Sequence, residues 1–178
     1  MILWTIQSIG AYDFLMSNGY LRTLESLSDD YFLDAYEWIS KIMTQKIGPP
    51  PEKVKYPIWC WYQIRGIKKR PDMRIKGYSN KGDKIVLLTV EVDEKDVLLS
   101  DFMTWHIALN NQYMADDEEE DNEKSFRSPD EIKNSWLKVF NLDYDDEYHG
   151  FMKNKSIQAT MWEIKIEQIK KVEFFIAR

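Results

Sequence analysis

Six cations crowd one short segment: Arg65, Lys68, Lys69, Arg70, Arg74 and Lys76 lie within twelve positions, just after Trp59, Trp61 and Tyr62. Cations placed this closely neutralise phosphates, and indole rings on the preceding stretch can stack on bases, so the pairing of types points to a nucleotide or nucleic-acid ligand. A basic loop beside aromatics is also common on proteins that bind neither. His106 is the residue whose ordinary titration range suits a general base near neutral pH, while its place next to Trp105 also suits a packed or hydrogen-bonded helix histidine, the commoner role. His149 reads as a loop surface residue, and Cys60, without a catalytic partner in sequence, as a small buried hydrophobe rather than a nucleophile. Asp143, Asp145, Asp146 and Glu147 lack the glycine and closing glutamate of a calcium loop. Phosphate-loop, zinc-protease and nucleophile-elbow patterns are absent, so no metal site is expected and the familiar hydrolase and kinase chemistries are not indicated.

The surrounding chain bounds the class. A length of 178 residues, 44% apolar and 14% aromatic, suits one domain over 1–178 with a sizeable core. One cysteine cannot form an internal disulfide, and two histidines beside it cannot complete a Cys/His zinc site. No stretch is long and apolar enough for a membrane span or a secretion leader, so cytoplasmic residence is the expectation. Seven acids, Asp116 to Asp121 and Glu123, account for more than the whole formal net charge of −6; without them it would be +1. The 115–127 segment therefore reads as a solvated acidic surface loop, with an internal lid over the basic segment or a dock for a basic protein partner as the functional alternatives. By contrast, Lys41 to Lys84 carries twelve Lys or Arg against three acids.

Local patterns predict the elements that must position these groups. Leu3 to Gln7 reads as a strand, and Ser8 as the cap of a helix closed by Asn18-Gly19. Ser28, Asp29 and Asp30 supply acceptors for a second helix, with Phe32, Tyr36, Ile39, Met43 and Ile47 at steps of three and four, ended by Gly48 and three prolines. Tyr56 to Gln63 is expected as a strand, and Lys84 to Val92 as an interior strand. Ser100 and Asp101 open a helix bearing Phe102, Trp105, His106 and Leu109. Ser128-Pro129-Asp130-Glu131 is a capping box with proline at the first helical position. Ser156 to Ile166 and Val172 to Ile176 complete the strands, joined by a helical turn at Glu167 to Ile169. The order favours an α+β fold, a single domain with a mixed sheet of about five or six strands and flanking helices.

Several blocks carry a resemblance. Leu3-Trp4-Thr5-Ile6-Gln7, Ile47-Gly48-Pro49-Pro50-Pro51, the Tyr56 to Gln63 stretch, Val97 to Phe102 and Gln158-Ala159-Thr160-Met161-Trp162-Glu163 together resemble an uncharacterised family of small bacterial proteins, a domain of unknown function. More distantly, the order of first strand, helix ending in Gly19, and late strand from Gln158 is similar to that of ADP-ribosyltransferase-like proteins. That resemblance implies NAD bent in a cleft. Thr5 and Gln7 would hold the nucleotide, Trp59, Trp61 or Tyr62 would stack on nicotinamide, and Gln158 or Glu163 would meet the ribose and the developing cation. Gln158 departs from the pattern, because an amide supplies no negative charge, and on one regular strand Glu163 would face away from it. The expectation is thus an NAD or nucleotide binder with weak or no transferase activity, the alternative a noncatalytic nucleic-acid-binding module using Arg65 to Lys76.

Overall fold

The computed structural model describes residues 1–23, 32–123 and 126–178. Strand β1 (Ile2–Ser8) runs into α1 (Ile9–Asn18), where the Ser8 hydroxyl accepts from the Ala11 amide and Gly19, at φ 79°, donates its N–H to Leu15 O to close the helix. After β2 (Tyr20–Arg22), α2 (Leu33–Ile47) stops at Gly48 as its proline run requires; the Ser28, Asp29 and Asp30 acceptors fall outside the described residues. There follow β3 (Ile58–Gln63), β4 (Lys84–Glu91), β5 (Leu98–Asp101), α3 (Phe102–Leu109), α4 (Glu118–Asn122), α5 (Pro129–Ser135), β6 (Ile157–Met161), β7 (Glu163–Lys165) and β8 (Ile169–Ile176).

These make the expected α+β domain, with a six-stranded sheet in the order β5-β6-β3-β1-β4-β8 and a small β2-β7 pair. Strand sense, expected to be mixed, is antiparallel at all five pairings of the large sheet. Interior β4 lies between β1 and β8, and Ile85, Val86, Leu87, Leu88 and Val90 are buried on its two faces, which is why its sequence is apolar without alternation. Ser156 to Ile166 is two strands rather than one: β6 stays in the large sheet, Trp162 breaks the run by sending its Nε1–H to Gly48 O at 2.9 Å, and β7 leaves to pair with β2. Ser100, expected to open α3, belongs to β5; Asp101 alone caps that helix, its Oδ1 accepting from the Met103 and Thr104 amides. The Ser128 capping box is present as expected.

Cross-strand register assigns side chains to the two faces of the sheet. Leu3, Cys60, Val86, Leu88, Ala159 and Met161 point toward α1 and the β2-β7 pair, meeting Leu15, Leu21 and Ile164. On the opposite face, Trp59, Leu98 and Trp162 pack with Trp105, Trp136 and α2 residues Ala35, Ile39 and Met43. Trp136 is fully buried and sends its indole N–H to Gln112 O at 2.8 Å, so its large apolar area is enclosed without leaving the polar atom unpaired. Further along this face Trp4, Ile6, Leu87 and Phe175 are covered by Met73 and Tyr78, which bring the basic segment onto the sheet.

The acidic segment holds one helical turn, α4, and is tied to nearby cations rather than standing wholly in solvent. Glu120 accepts from the Tyr113 hydroxyl at 2.6 Å and pairs with Arg127 at 3.3 Å, and Lys138 reaches Asp116 at 2.7 Å.

Candidate functional site

The basic segment leaves β3 through a two-residue turn. Arg65 and Gly66 both have positive φ, 50° and 73°, and Ile64 and Ile67 exchange backbone hydrogen bonds of 2.9 and 3.2 Å across them. A left-handed conformation strains a non-glycine residue, and this one is over-determined by its surroundings. The Gly66 N–H donates to Lys155 O at 2.8 Å and the Arg65 N–H to Ser156 Oγ at 3.1 Å. Lys155 itself is buried with Asp101, the two charged atoms 3.5 Å apart, so the turn rests on an ion pair shielded from solvent. Beyond the turn, Pro71 and Met73 are buried, holding the rest of the segment against the sheet.

Between segment and sheet lies a groove of about 730 Å³. Trp61, Phe102, Tyr78 and Phe175 supply aromatic surface, and Arg65, Lys69, Arg70 and Arg74 supply positive charge. Trp61 and Phe102 stand with ring centroids 4.9 Å apart. Arg70 pairs with Glu173 at 3.5 Å, and Arg74 pairs with Asp72 at 2.7 Å; hydrogen bonds from Arg74 hold the Asp72 carboxyl well below the usual carboxylate range. Burial, reinforced by the Asp72 charge, pushes the Tyr78 phenol up. Arg65 and Lys69 are exposed, and among the described residues neither has an acidic partner, which leaves their charge available to an anion.

Of the residues expected to act together, Trp61, Arg65 and Arg70 line this groove. Gln158 sits directly across from Trp61 and on the same face, its Oε1 buried with no hydrogen-bond partner among the described residues. Thr5 and Gln7 point from the other face, being paired with Leu88 and Val86. The register therefore divides the set expected around NAD, because neighbouring residues of one strand face opposite ways. Where β1 and β3 diverge beyond Trp4 and Trp61, Thr5 Oγ1 donates to Trp59 O at 2.9 Å and Gln7 Nε2 donates to Thr5 Oγ1 at 2.7 Å. Gln7 and Trp59 line a separate cavity of about 520 Å³ with Arg22 and Tyr36. Tyr62 lies under Lys68, whose Nζ is 4.3 Å from the ring centroid. Glu163, on β7, accepts from Arg22 Nε at 2.8 Å and is not beside Gln158.

His106 is exposed on α3 and donates from Nδ1 to Phe102 O at 2.7 Å, the hydrogen-bonded helix histidine of the plainer reading. His149, expected at the loop surface, is instead enclosed: its side chain is 6% exposed, stacked on Tyr144 at 3.8 Å and bonded to Asp146 at 2.9 Å. Its aromatic and carboxylate partners are both close in sequence, which is what folds the ring inward. The lone Cys60 is buried, which pushes its thiol up to about 12 against a weaker opposing hydrogen bond with Thr5. Among the described residues no group of three or more His, Cys, Asp or Glu could hold a metal ion, and no helix is long and apolar enough to cross a membrane.

Sequence reasoning did not bring Tyr78, Phe102 and Phe175 to the basic segment. Only Ile64-Arg65-Gly66-Ile67, a glycine-containing pair between apolar residues, was a local signal that the chain doubles back there.

Fold and groove together define an α+β domain with a cationic, aromatic-walled surface site. By sequence the chain belongs to the family described as a domain of unknown function, DUF3841, whose model matches residues 2–129. That span holds the turn, the basic segment and Phe102, while Gln158 and Phe175 lie beyond it. No curated protein and no solved structure matches the chain.

Proposed function

We propose that the protein binds a nucleotide in the groove bounded by Trp61, Phe102, Arg65, Lys69 and Arg70, and does so without chemistry. The observation that carries this reading is the joining of an aromatic wall to unpaired cations in one groove of about 730 Å³, a size that suits a small ligand. A base stacks on Trp61 or Phe102 while phosphates meet Arg65 and Lys69, and NAD offers the same two features. The strained Arg65 backbone supports the reading, since such conformations cluster at ligand sites. A cytoplasmic setting fits a nucleotide ligand.

Binding is favoured over transfer because Gln158, the late-strand residue beside Trp61, contributes an amide and no negative charge to a developing oxocarbenium ion. Thermal unfolding with ADP or NAD at about a hundred times the dissociation constant tests it. The expected stabilisation is about 2.7 kcal/mol, or roughly 5–10 °C for a domain of this size. Trp61→Ala and Lys69→Glu each reduce the shift, and nicotinamide release from NAD stays at background. Absence of any shift at low salt refutes the binding site, and measurable nicotinamide release refutes the noncatalytic assignment.

A further inference from the structure

The nucleotide groove does not end at Arg74. A second depression of about 740 Å³ adjoins it, sharing Met73, Arg74 and Phe175 and adding Lys76, Lys81 and Phe174. Phe175 belongs to both depressions, and Lys76 and Lys81 are exposed in the second; Phe174 lies at its rim, its ring turned to the other face of the sheet, where it meets Tyr12 edge-on at 5.4 Å. Among the described residues Lys76 and Lys81 stand in no ion pair, as is true of Arg65 and Lys69, whereas Arg70 and Arg74 are held by carboxylates. Free cations thus continue along one path, with Phe175 common to its two halves. A single nucleotide would use the first half and leave the second without a role.

We propose that the natural ligand is a single-stranded nucleic acid several nucleotides long, laid along both halves of this track. The inference rests on the nucleotide-groove reading and extends it. Phosphates follow Arg65, Lys69, Lys76 and Lys81, and unpaired bases stack on Trp61 and Phe102 and reach Phe175, the ring common to both halves. A duplex fits poorly, because its base faces are already covered by one another and the rings of this track have only π-faces to offer. Binding of this type tolerates sequence, since every base has such a face. Its affinity falls with salt in proportion to the phosphates neutralised.

The test uses the full chain and fluorescence anisotropy with labelled oligothymidylates of two and twelve nucleotides, a twelve-pair duplex, and ADP as competitor. The twelve-mer binds more tightly than the dinucleotide and the duplex. The double substitution Lys76→Gln, Lys81→Gln, confined to exposed side chains, weakens the twelve-mer about 25-fold at 0.1 M salt and lowers the salt slope by about 1.4, the loss of two single-strand phosphate contacts. ADP affinity stays unchanged in that variant. Equal affinity for the two lengths, or a variant that binds the twelve-mer like the parent, overturns the extended track while leaving the ADP site standing. Loss of ADP binding in the parent protein overturns the underlying reading instead. Duplex bound as tightly as single strand overturns strand selectivity. Binding to vesicles containing anionic phospholipid, with no binding of the twelve-mer, assigns Lys76 and Lys81 to a membrane surface and overturns the proposal.

Discussion

Replacing Gly66 by Ala adds one methyl group at the turn that carries Arg65 into the groove. Two costs arise. Gly66 has φ 73°, where a side chain costs about 1 kcal/mol or a little more. The new Cβ would also overlap the backbone carbonyl of Lys153, which cannot rotate away as a side-chain tip would. The turn must therefore shift, at the expense of the Gly66 N–H to Lys155 O bond and the Arg65 N–H to Ser156 Oγ bond, each about 1 kcal/mol. Ala also narrows the unfolded ensemble, which returns about 0.5–1 kcal/mol. The net is a destabilisation of about 2–3 kcal/mol, or a fall of about 5–10 °C in Tm for a chain of this length. Gly19→Ala is the control, since Gly19 has φ 79° with open space at the Cβ position and carries the conformational cost without the overlap. Calorimetry of both variants isolates the overlap. Equal Tm changes for Gly66→Ala and Gly19→Ala would show that the turn is not pinned against the 153–156 backbone, and the account of how Arg65 is positioned would fall with it.

Two further outcomes follow from buried groups. Asp101 and Lys155 have side chains 3% and 5% exposed, so Asp101→Asn alone strands a buried ammonium and lowers unfolding free energy by about 3 kcal/mol. The pair Asp101→Asn, Lys155→Met costs less than that single change, as measured by urea unfolding, and simply additive costs would refute the coupling. Cys60 keeps its proton in the folded protein to about pH 12 but would lose it near 9.0 when unexposed packing is gone, so its contribution is intact below about pH 9 and declines as pH rises toward 12. Over that interval native stability falls faster than that of Cys60→Ala, by up to about 1.4 kcal/mol per pH unit, and parallel pH profiles would refute it.

Features written into neighbouring residues were legible before any coordinates. Ser8 and Gly19 bound α1, Gly48 and its prolines end α2, and Ser128 with Glu131 starts α5, because a cap or a helix breaker acts on amides and carbonyls within a few positions. The interior place of β4 follows the same logic, since an uninterrupted apolar strand needs cover on both faces. The cations of the groove and the Trp61 beside them were visible for the same reason.

Tertiary structure decided what depends on partners far along the chain. Tyr20–Arg22 is too short to announce itself as a strand and is one only because Glu163–Lys165 pairs with it. Nothing near Trp162 in sequence says that its indole will bond to Gly48, 114 positions away, and so divide the last long apolar stretch between two sheets. Facing is the sharpest case. Thr5, Gln7 and Gln158 were each plausible around one ligand, but a shift of one residue in register turns a side chain to the other face, and only strand pairing sets that register. Pairing of β1 with β4 sends Thr5 and Gln7 one way, and pairing of β6 with β3 sends Gln158 the other, to Trp61. The same long-range pairing carries Phe175 on β8 to the basic segment, giving the groove a wall that no local pattern could assign to it.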